Sequence, residues 1–312
     1  MFGYVLRRLL QVIPTIVGIT LLLFIVVRFS GDPLAIYLGD DDMVVGQVGN
    51  DQVAALRARL GLDQPLPLQY IYFLRDALHG DFGRSFIYQN QPALPLVIRR
   101  LPATAALGGA ALLIGILISL PAGLIAARFR NRFPDTFASF YAVVGEAVPN
   151  FWLGIMLILL FSVNLRVLPV SGSGTWRHLV LPAFTLGTGM SALLMRLLRG
   201  NLIEVMSLDY IRTARAKGLS ARSVLFKHGL RNAAISYITV LGLSVPGLLS
   251  GSVVTESIFA WPGMGLLFIT AINGRDMAIV QAIVVFTAFL AILGNLFVDL
   301  VYVLVDPRIT YR

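Results

Sequence analysis

Apolar and polar positions fall in long blocks along this chain rather than in the short alternations of a soluble fold. Arg7 and Arg8 precede an apolar run from Leu9 to Val27. At helical rise that run spans about 28 Å, close to the ~30 Å hydrocarbon core of a bilayer. Val26-Val27-Arg28-Phe29 follows it where a cleaved signal would carry small residues, so the pattern predicts an uncleaved first membrane helix, with Pro14 as a kink. Five more spans are predicted over Ala103–Ala127, Phe137–Val163, Leu179–Leu198, Ala234–Ser257 and Ala278–Val305. Gly108, Gly109, Gly115 and Gly123 are small enough to let the second span approach its neighbours closely. Glu146, Pro149 and Asn150 interrupt the third span, where a proline frees a carbonyl that protein or water must satisfy.

The long polar stretch, residues 29–101, carries most of the aspartates, among them Asp40, Asp41 and Asp42. Val53, Leu56 and Leu60 share a helical face that Gly61 ends, and Leu68, Ile71, Leu74 and Leu78 share another that ends before Gly80. Leu94–Arg100 is predicted as a separate interfacial helix ahead of Pro102, a good first-turn residue. These faces are too small for a core of their own and belong on the outer membrane surface or against the spans. Residues 164–177 and Phe259–Met277 are predicted outer loops, the second containing Trp261-Pro262-Gly263. The organisation is thus residues 1–28, an N-terminus and first helix; 29–101, an extracytoplasmic segment; 102–305, a five-helix core that includes a basic segment at 199–233; and 306–312, a tail.

Within that basic segment, Ser207 to Gly218 has the pattern of a short capped helix. Ser207 can cap the N-terminus, and Asp209 suits the positive end of the helix dipole. Arg215 and Lys217 suit the negative end, and Gly218 fits the left-handed position that closes a helix. Ser220 can cap a second helix at once. A helix-turn-helix is therefore predicted where a membrane protein has its cytoplasmic face. On charge alone this would be a basic loop that only fixes topology; the order of its residues is what favours the helix-turn-helix.

Composition supports the membrane reading. Of 312 residues, 57% are apolar and only 13% charged, about half the usual share of roughly 25% for soluble domains. Mean hydropathy is +0.81. The net charge of +9 could suggest nucleic acid if spread evenly. It is not: Arg166, Arg177 and Arg275 alone lie in the short outer loops, seven basic residues lie between Arg28 and Arg100, and the rest cluster in or beside the opposite segments. The charge is a topology signal placing both termini in the cytoplasm. With no cysteine, a thiolate metal site is excluded, and His79, His178 and His228 are too far apart in sequence to form a ligand pair.

Catalytic patterns are missing from the sequence. No Gly-x-x-x-x-Gly-Lys-Ser/Thr, Gly-x-Ser-x-Gly or His-Glu-x-x-His occurs, and Gly80-Asp81-Phe82-Gly83-Arg84-Ser85 reads as a tight turn. Asp299 and Tyr302, three apart on the sixth span, suit a hydrogen bond between helices better than an intramembrane enzyme. A secondary transporter would call for a relay of buried carboxylates, and Glu146 and Asp299 are the clear intramembrane acids. A channel would call for a filter-like loop. Glu146 lies four residues before Asn150, on one face of a continuous helix. The two either bond to a neighbouring helix or line a route that favours cationic groups.

Tyr210-Ile211-Arg212-Thr213-Ala214-Arg215-Ala216-Lys217-Gly218-Leu219 resembles the cytoplasmic motif of binding-protein-dependent ABC importer permeases of the dipeptide/oligopeptide class, B-type subunit. His228-Gly229-Leu230-Arg231-Asn232-Ala233 extends the likeness. So do Arg7-Arg8-Leu9-Leu10, Gly31-Asp32-Pro33, Leu60-Gly61-Leu62-Asp63-Gln64-Pro65, Arg100-Leu101-Pro102-Ala103-Thr104, Trp261-Pro262-Gly263-Met264-Gly265 and Asp306-Pro307-Arg308. Two departures stand out: Ser236 where that class often has proline, and Glu146 where it often has a small residue or serine. The resemblance implies an all-α, six-helix type I importer permease in the bacterial plasma (inner) membrane. It implies partnership with a second homologous permease, two ABC ATPase domains that bind ATP and Mg, and an extracytoplasmic substrate-binding protein, with nothing catalytic and no cofactor on this chain. Asp209, Tyr210, Arg212, Thr213, Ala214, Arg215, Ala216, Lys217 and Gly218 would couple to the ATPases. Asp41, Trp261, Pro262 and Gly263 would meet the binding protein. The class includes peptide, glutathione and nickel permeases.

Overall fold

The computed structural model describes residues 2–29 and 63–305, and the side chains of 12–29, 63–248 and 252–296. The expected helix around Val53–Leu60, Asp41 and the tail lie outside the described residues, as do the side chains of Asp299 and Tyr302. In order, the helices are α1 (Phe2–Phe29), α2 (Leu66–Leu78), α3 (Ala93–Arg128), α4 (Phe133–Ala147), α5 (Asn150–Leu157, continued as a π-helical turn to Asn164), α6 (Trp176–Val205) and α7 (Asp209–Ala216). A single turn at Ala221–Ser223 and a π-helical segment, Val224–Leu230, lead into α8 (Arg231–Gly251), which is followed by α9 (Val253–Ile258), α10 (Met264–Asn273) and α11 (Met277–Val305). Four of these are long and apolar enough to cross a membrane, or five if the bent pair α4–α5 counts as one span. The chain is an all-helical membrane protein.

Three predictions about elements need correction. The third span is not one continuous helix: α4 and α5 meet at 103°. Pro149 disfavours helical backbone in the residue before it, and Val148 is extended at φ −79°, ψ 119°. Glu146 and Asn150 therefore lie on different helices. The separate helix at Leu94–Arg100 does not exist either; it is the start of the 36-residue α3, which runs through Pro102. An interior proline removes one backbone hydrogen bond, and a helix this long tolerates that loss. Finally, the predicted outer loop Phe259–Met277 contains α10. Pro262 and Gly263 mark its entry, not a continuing loop.

The chain forms two compact units. The first takes residues 1–101 and 267–292. In it α2 lies on α1: the Phe24 ring is 5.5 Å from Tyr70 and 6.2 Å from Phe73, and the hydroxyls of Thr20 and Tyr70 are 3.0 Å apart. Gly80 and Gly83 adopt φ of +76° and +86°, which makes the predicted tight turn. The turn delivers Ser85 to the buried carboxylate of Asp276. Ala93, Val97, Ile279 and Ala282 are buried in this unit.

The second unit, residues 102–266 and 293–312, is organised on α6. Leu194, Leu198 and Leu202 of α6 bury with Leu225, Ala233 and Tyr237, while Met195 buries with Ala126, Ala138 and Ala142. Small residues bring the helices together. A Cβ on Gly187 would stand 2.7 Å from the Ala111 carbonyl oxygen, and one on Gly145 2.9 Å from Ala192. Among the glycines predicted to serve this purpose, Gly115 and Gly123 face α6 at close range, whereas Gly109 has nothing within 4 Å.

Candidate functional site

The helix-turn-helix forms, with one change at its start. Ser207 does not cap α7; its hydroxyl donates back to the Glu204 carbonyl at 2.6 Å. Leu208 occupies the cap position with no side-chain bond. Ser207 is still within the turn that ends α6, so its hydroxyl finds an i−3 carbonyl first. Asp209 sits in the first turn, where Arg212 donates to it at 3.2 Å. Gly218, at φ +77°, donates to the Arg215 carbonyl at 3.0 Å, and Leu219 to the Ala214 carbonyl at 3.4 Å. That pair of bonds is a Schellman motif. Ser220 then caps the next turn by accepting from the Ser223 amide.

Burial divides α7 into two faces. Ile211 and Ala214, three apart, bury with Val224 and Met206. Asp209, Tyr210, Arg212, Thr213, Arg215, Ala216, Lys217 and Gly218 are exposed. Of the nine residues singled out from the sequence, Ala214 is therefore an anchor, and the other eight form a basic outer surface. Asn232 at the start of α8 donates to the Tyr210 hydroxyl at 2.7 Å, tying α7 to the longer helix. Gly229 makes the close approach possible, since a Cβ there would lie 2.9 Å from the Met206 sulfur.

Between α4 and α6, Glu146 accepts both guanidinium nitrogens of Arg196, at 2.7 and 2.8 Å. Closer to the start of α4, Asp135 takes a bidentate pair from Arg199 and a 2.8 Å bond from the Asn131 amide. Asp135 is buried, whereas the Glu146–Arg196 pair is half exposed. Asn150 is not bonded to Glu146; its amide oxygen lies over Gly189 of α6. The carboxylate predicted to attract cations is thus already neutralised by a cation of its own chain. Arg196 escaped the sequence reading because it sits near the end of the predicted span and reads there as one more charge of the basic side.

Glu256 was also missed, although it lies inside the predicted fifth span. It is fully buried. One carboxylate oxygen accepts from the Thr104 and Ser252 hydroxyls, both at 2.8 Å. The other accepts from the amides of Gly265 and Leu266, at 2.7 and 3.0 Å, in the first turn of α10. Four donors, two from a helix N-terminus, hold the charge. Trp261 and Gly263 serve this same region and are buried. The indole donates to the Ala103 carbonyl at 2.8 Å, and Gly263 crowds the Glu256 carboxylate. Pro262 is half-buried beside them. The Trp-Pro-Gly-Met-Gly stretch stood out in the sequence as part of a loop, but its use as an internal clamp was not legible.

Several helices apolar enough to cross a membrane, with a short helix, α7, that keeps a basic face outward, define an integral membrane protein with a polar docking surface. Residues 119–311 match the family described as binding-protein-dependent transport system inner membrane component, and the chain belongs to it. It is a permease subunit of an ABC transport system. Relatives of this chain include the oligopeptide transport system permease protein AppB of Bacillus subtilis (strain 168), 40% identical over 322 residues that cover all of both chains. The glutathione transport system permease protein GsiC is likewise 40% identical, over 314 residues and all of both chains, in Salmonella typhimurium and in Escherichia coli K12. The fold is similar to that of the MetNI methionine ABC transporter in an inward-facing conformation, with TM-score 0.58 and 18% identity over 68% of this chain and 96% of that one. It is also similar to an amino acid ABC transporter structure, with TM-score 0.51 and 18% identity over 67% of this chain and 93% of that one.

Proposed function

We propose that this chain is the permease of an ATP-driven importer for peptides, with glutathione as the second reading within the same class. Full-length 40% identity to an oligopeptide permease supports the first, and the same identity to glutathione permeases supports the second. The observation that carries the mechanism is the two-faced α7. Its buried side is fixed to Val224 and Met206, and its outer side presents Arg212, Arg215 and Lys217. In this reading α7 is the coupling helix. Two ABC ATPase subunits bind ATP and Mg and press on it, and the Tyr210–Asn232 bond and the Gly229 contact pass the displacement to α8 and α6. This chain hydrolyses nothing itself.

The translocation path is shared with a second, homologous permease, and an extracytoplasmic binding protein delivers the ligand, with Asp41 in its contact surface. Both termini and residues 199–233 face the cytoplasm. The six-span arrangement takes α1, α3, the bent pair α4–α5, α6, α8 and α11 as its members. With 21 residues, α8 spans about 31 Å at helical rise, enough to cross. Glu146 and Asn150 line the path from α4 and α5.

The test is reconstitution of the chain with the subunits that co-purify from its own cells. ATP-dependent uptake of a labelled dipeptide that requires a secreted binding protein is expected. Uptake driven by an ion gradient alone, with no ATPase subunit attached, would instead make the chain a secondary transporter.

A further inference from the structure

The half-exposed Glu146–Arg196 pair is the feature that the fold does not account for. Glu146 lies about 20 Å along α4 from its start, and Arg196 about 14 Å in from the end of α6, at helical rise. Their side chains keep 36% and 54% of their surface open. Charged groups at such depth are too costly to face lipid, so this surface fronts protein or a water-filled route. The surface also runs as an open stripe along α6. Gly189, Leu193, Arg196 and Gly200 recur at intervals of four, three and four, which is one face of α6. A Cβ on Gly200 would meet nothing within 4 Å, leaving open space there, and Asn150 stands over Gly189 at the other end. Asn150 of α5 and Glu146 of α4 thus stand beside one open stripe of α6, at Gly189 and Arg196, on a helix whose other faces are largely buried.

We infer that the Glu146–Arg196 pair is a ligand subsite for zwitterions, taking a ligand carboxylate on Arg196 and a ligand ammonium on Glu146. The inference rests on the reading that this face lines the translocation path. Its physical basis is charge balance. The resting pair is neutral and fully bonded. A lone cation that captured Glu146 would leave Arg196 without its bidentate partner, and a lone anion would strand Glu146; either loses the two charge-assisted hydrogen bonds of the resting pair. A ligand carrying both charges exchanges partners without leaving any charge uncompensated. The planar guanidinium fork keeps two hydrogen bonds when a ligand carboxylate replaces that of Glu146. The site therefore favours free peptides or amino acids with both termini ionised and discriminates against singly charged ligands. It replaces the simple cation preference that an isolated glutamate would give.

The experiment uses the full-length chain, with whatever subunits co-purify, in bilayers of phosphatidylglycerol, which offers no ammonium group of its own. Phenylglyoxal modification of Arg196 is followed by mass spectrometry with alanyl-alanine, its N-acetyl derivative and its C-terminal amide as probes, and with glycine and glutathione beside them. The zwitterionic probes are expected to slow modification about tenfold, the scale of one charge-assisted contact, and the two blocked peptides to have little effect. In Glu146→Gln, protection by alanyl-alanine should fall to that of its N-acetyl derivative. Adding phosphatidylethanolamine should compete for the site if a zwitterionic lipid headgroup also fits it, and that competition would support the same chemistry. Equal protection by all probes, protection by none, or an Arg196 that never reacts would overturn the inference and leave the pair as a latch between α4 and α6. Protection without ATP-driven uptake would keep the subsite and remove the importer reading; uptake without protection would do the reverse.

Discussion

Gly218 and Glu256 are the two residues whose replacement should be most informative. At φ +77°, Gly218 holds a conformation that costs an L-residue about 1–2 kcal/mol, and a β-branched side chain more. Space is not the obstacle, since a Cβ there meets nothing within 4 Å. Gly218→Val should therefore leave insertion and assembly intact while the closing turn of α7 loosens and ATP-driven uptake drops. Uptake at the wild-type rate would remove the coupling role assigned to the turn. Glu256 is the opposite case. Glu256→Ala leaves two hydroxyls and two amides without their acceptor in a buried site, a loss of about 3 kcal/mol or more. Its thermal unfolding in detergent should shift clearly downward. Glu256→Gln should shift less, because its amide oxygen still accepts from two donors. An unchanged midpoint for the alanine variant would mean the clamp contributes nothing.

At the level of elements, α7 was legible because its signals are local. A dipole-matched charge at each end and a glycine at the close act within one helix, and the fold keeps both. Only the cap failed, where Ser207 had a competing carbonyl one turn back. The four long apolar helices were legible for the same reason. What the chain pattern could not convey was how elements meet. A proline at 149 announces a disturbance, but whether it yields a kink or a 103° break depends on what α4 and α5 pack against. Contacts such as Glu256 with Thr104, or Glu146 with Arg196, join residues 152 and 50 positions apart, and no periodicity reports them. The exposed face of α7 has its own test. Arg215→Glu reverses a charge on that face while leaving Ile211 and Ala214 in place. It should reduce the ATPase recovered with the permease by several-fold without lowering the amount of permease in the membrane. Equal recovery would show that Arg215 does not touch the ATPase.

In the whole molecule, a membrane-spanning helical body carries a basic surface that, in the proposed mechanism, receives force from outside the chain. The absence of cysteine from all 312 residues makes that claim directly accessible, because a single introduced thiol has no background. Ala216 is exposed, small and on the outer side of α7, so Ala216→Cys should disturb neither face. In sealed vesicles of known orientation, the thiol should react only from the cytoplasmic side. A thiol-directed photocross-linker placed there should join the permease to its ATPase subunit, with a yield that changes when ATP is bound. Labelling from the outer side, or cross-links that never include an ATPase, would contradict the assignment of α7 as the coupling helix.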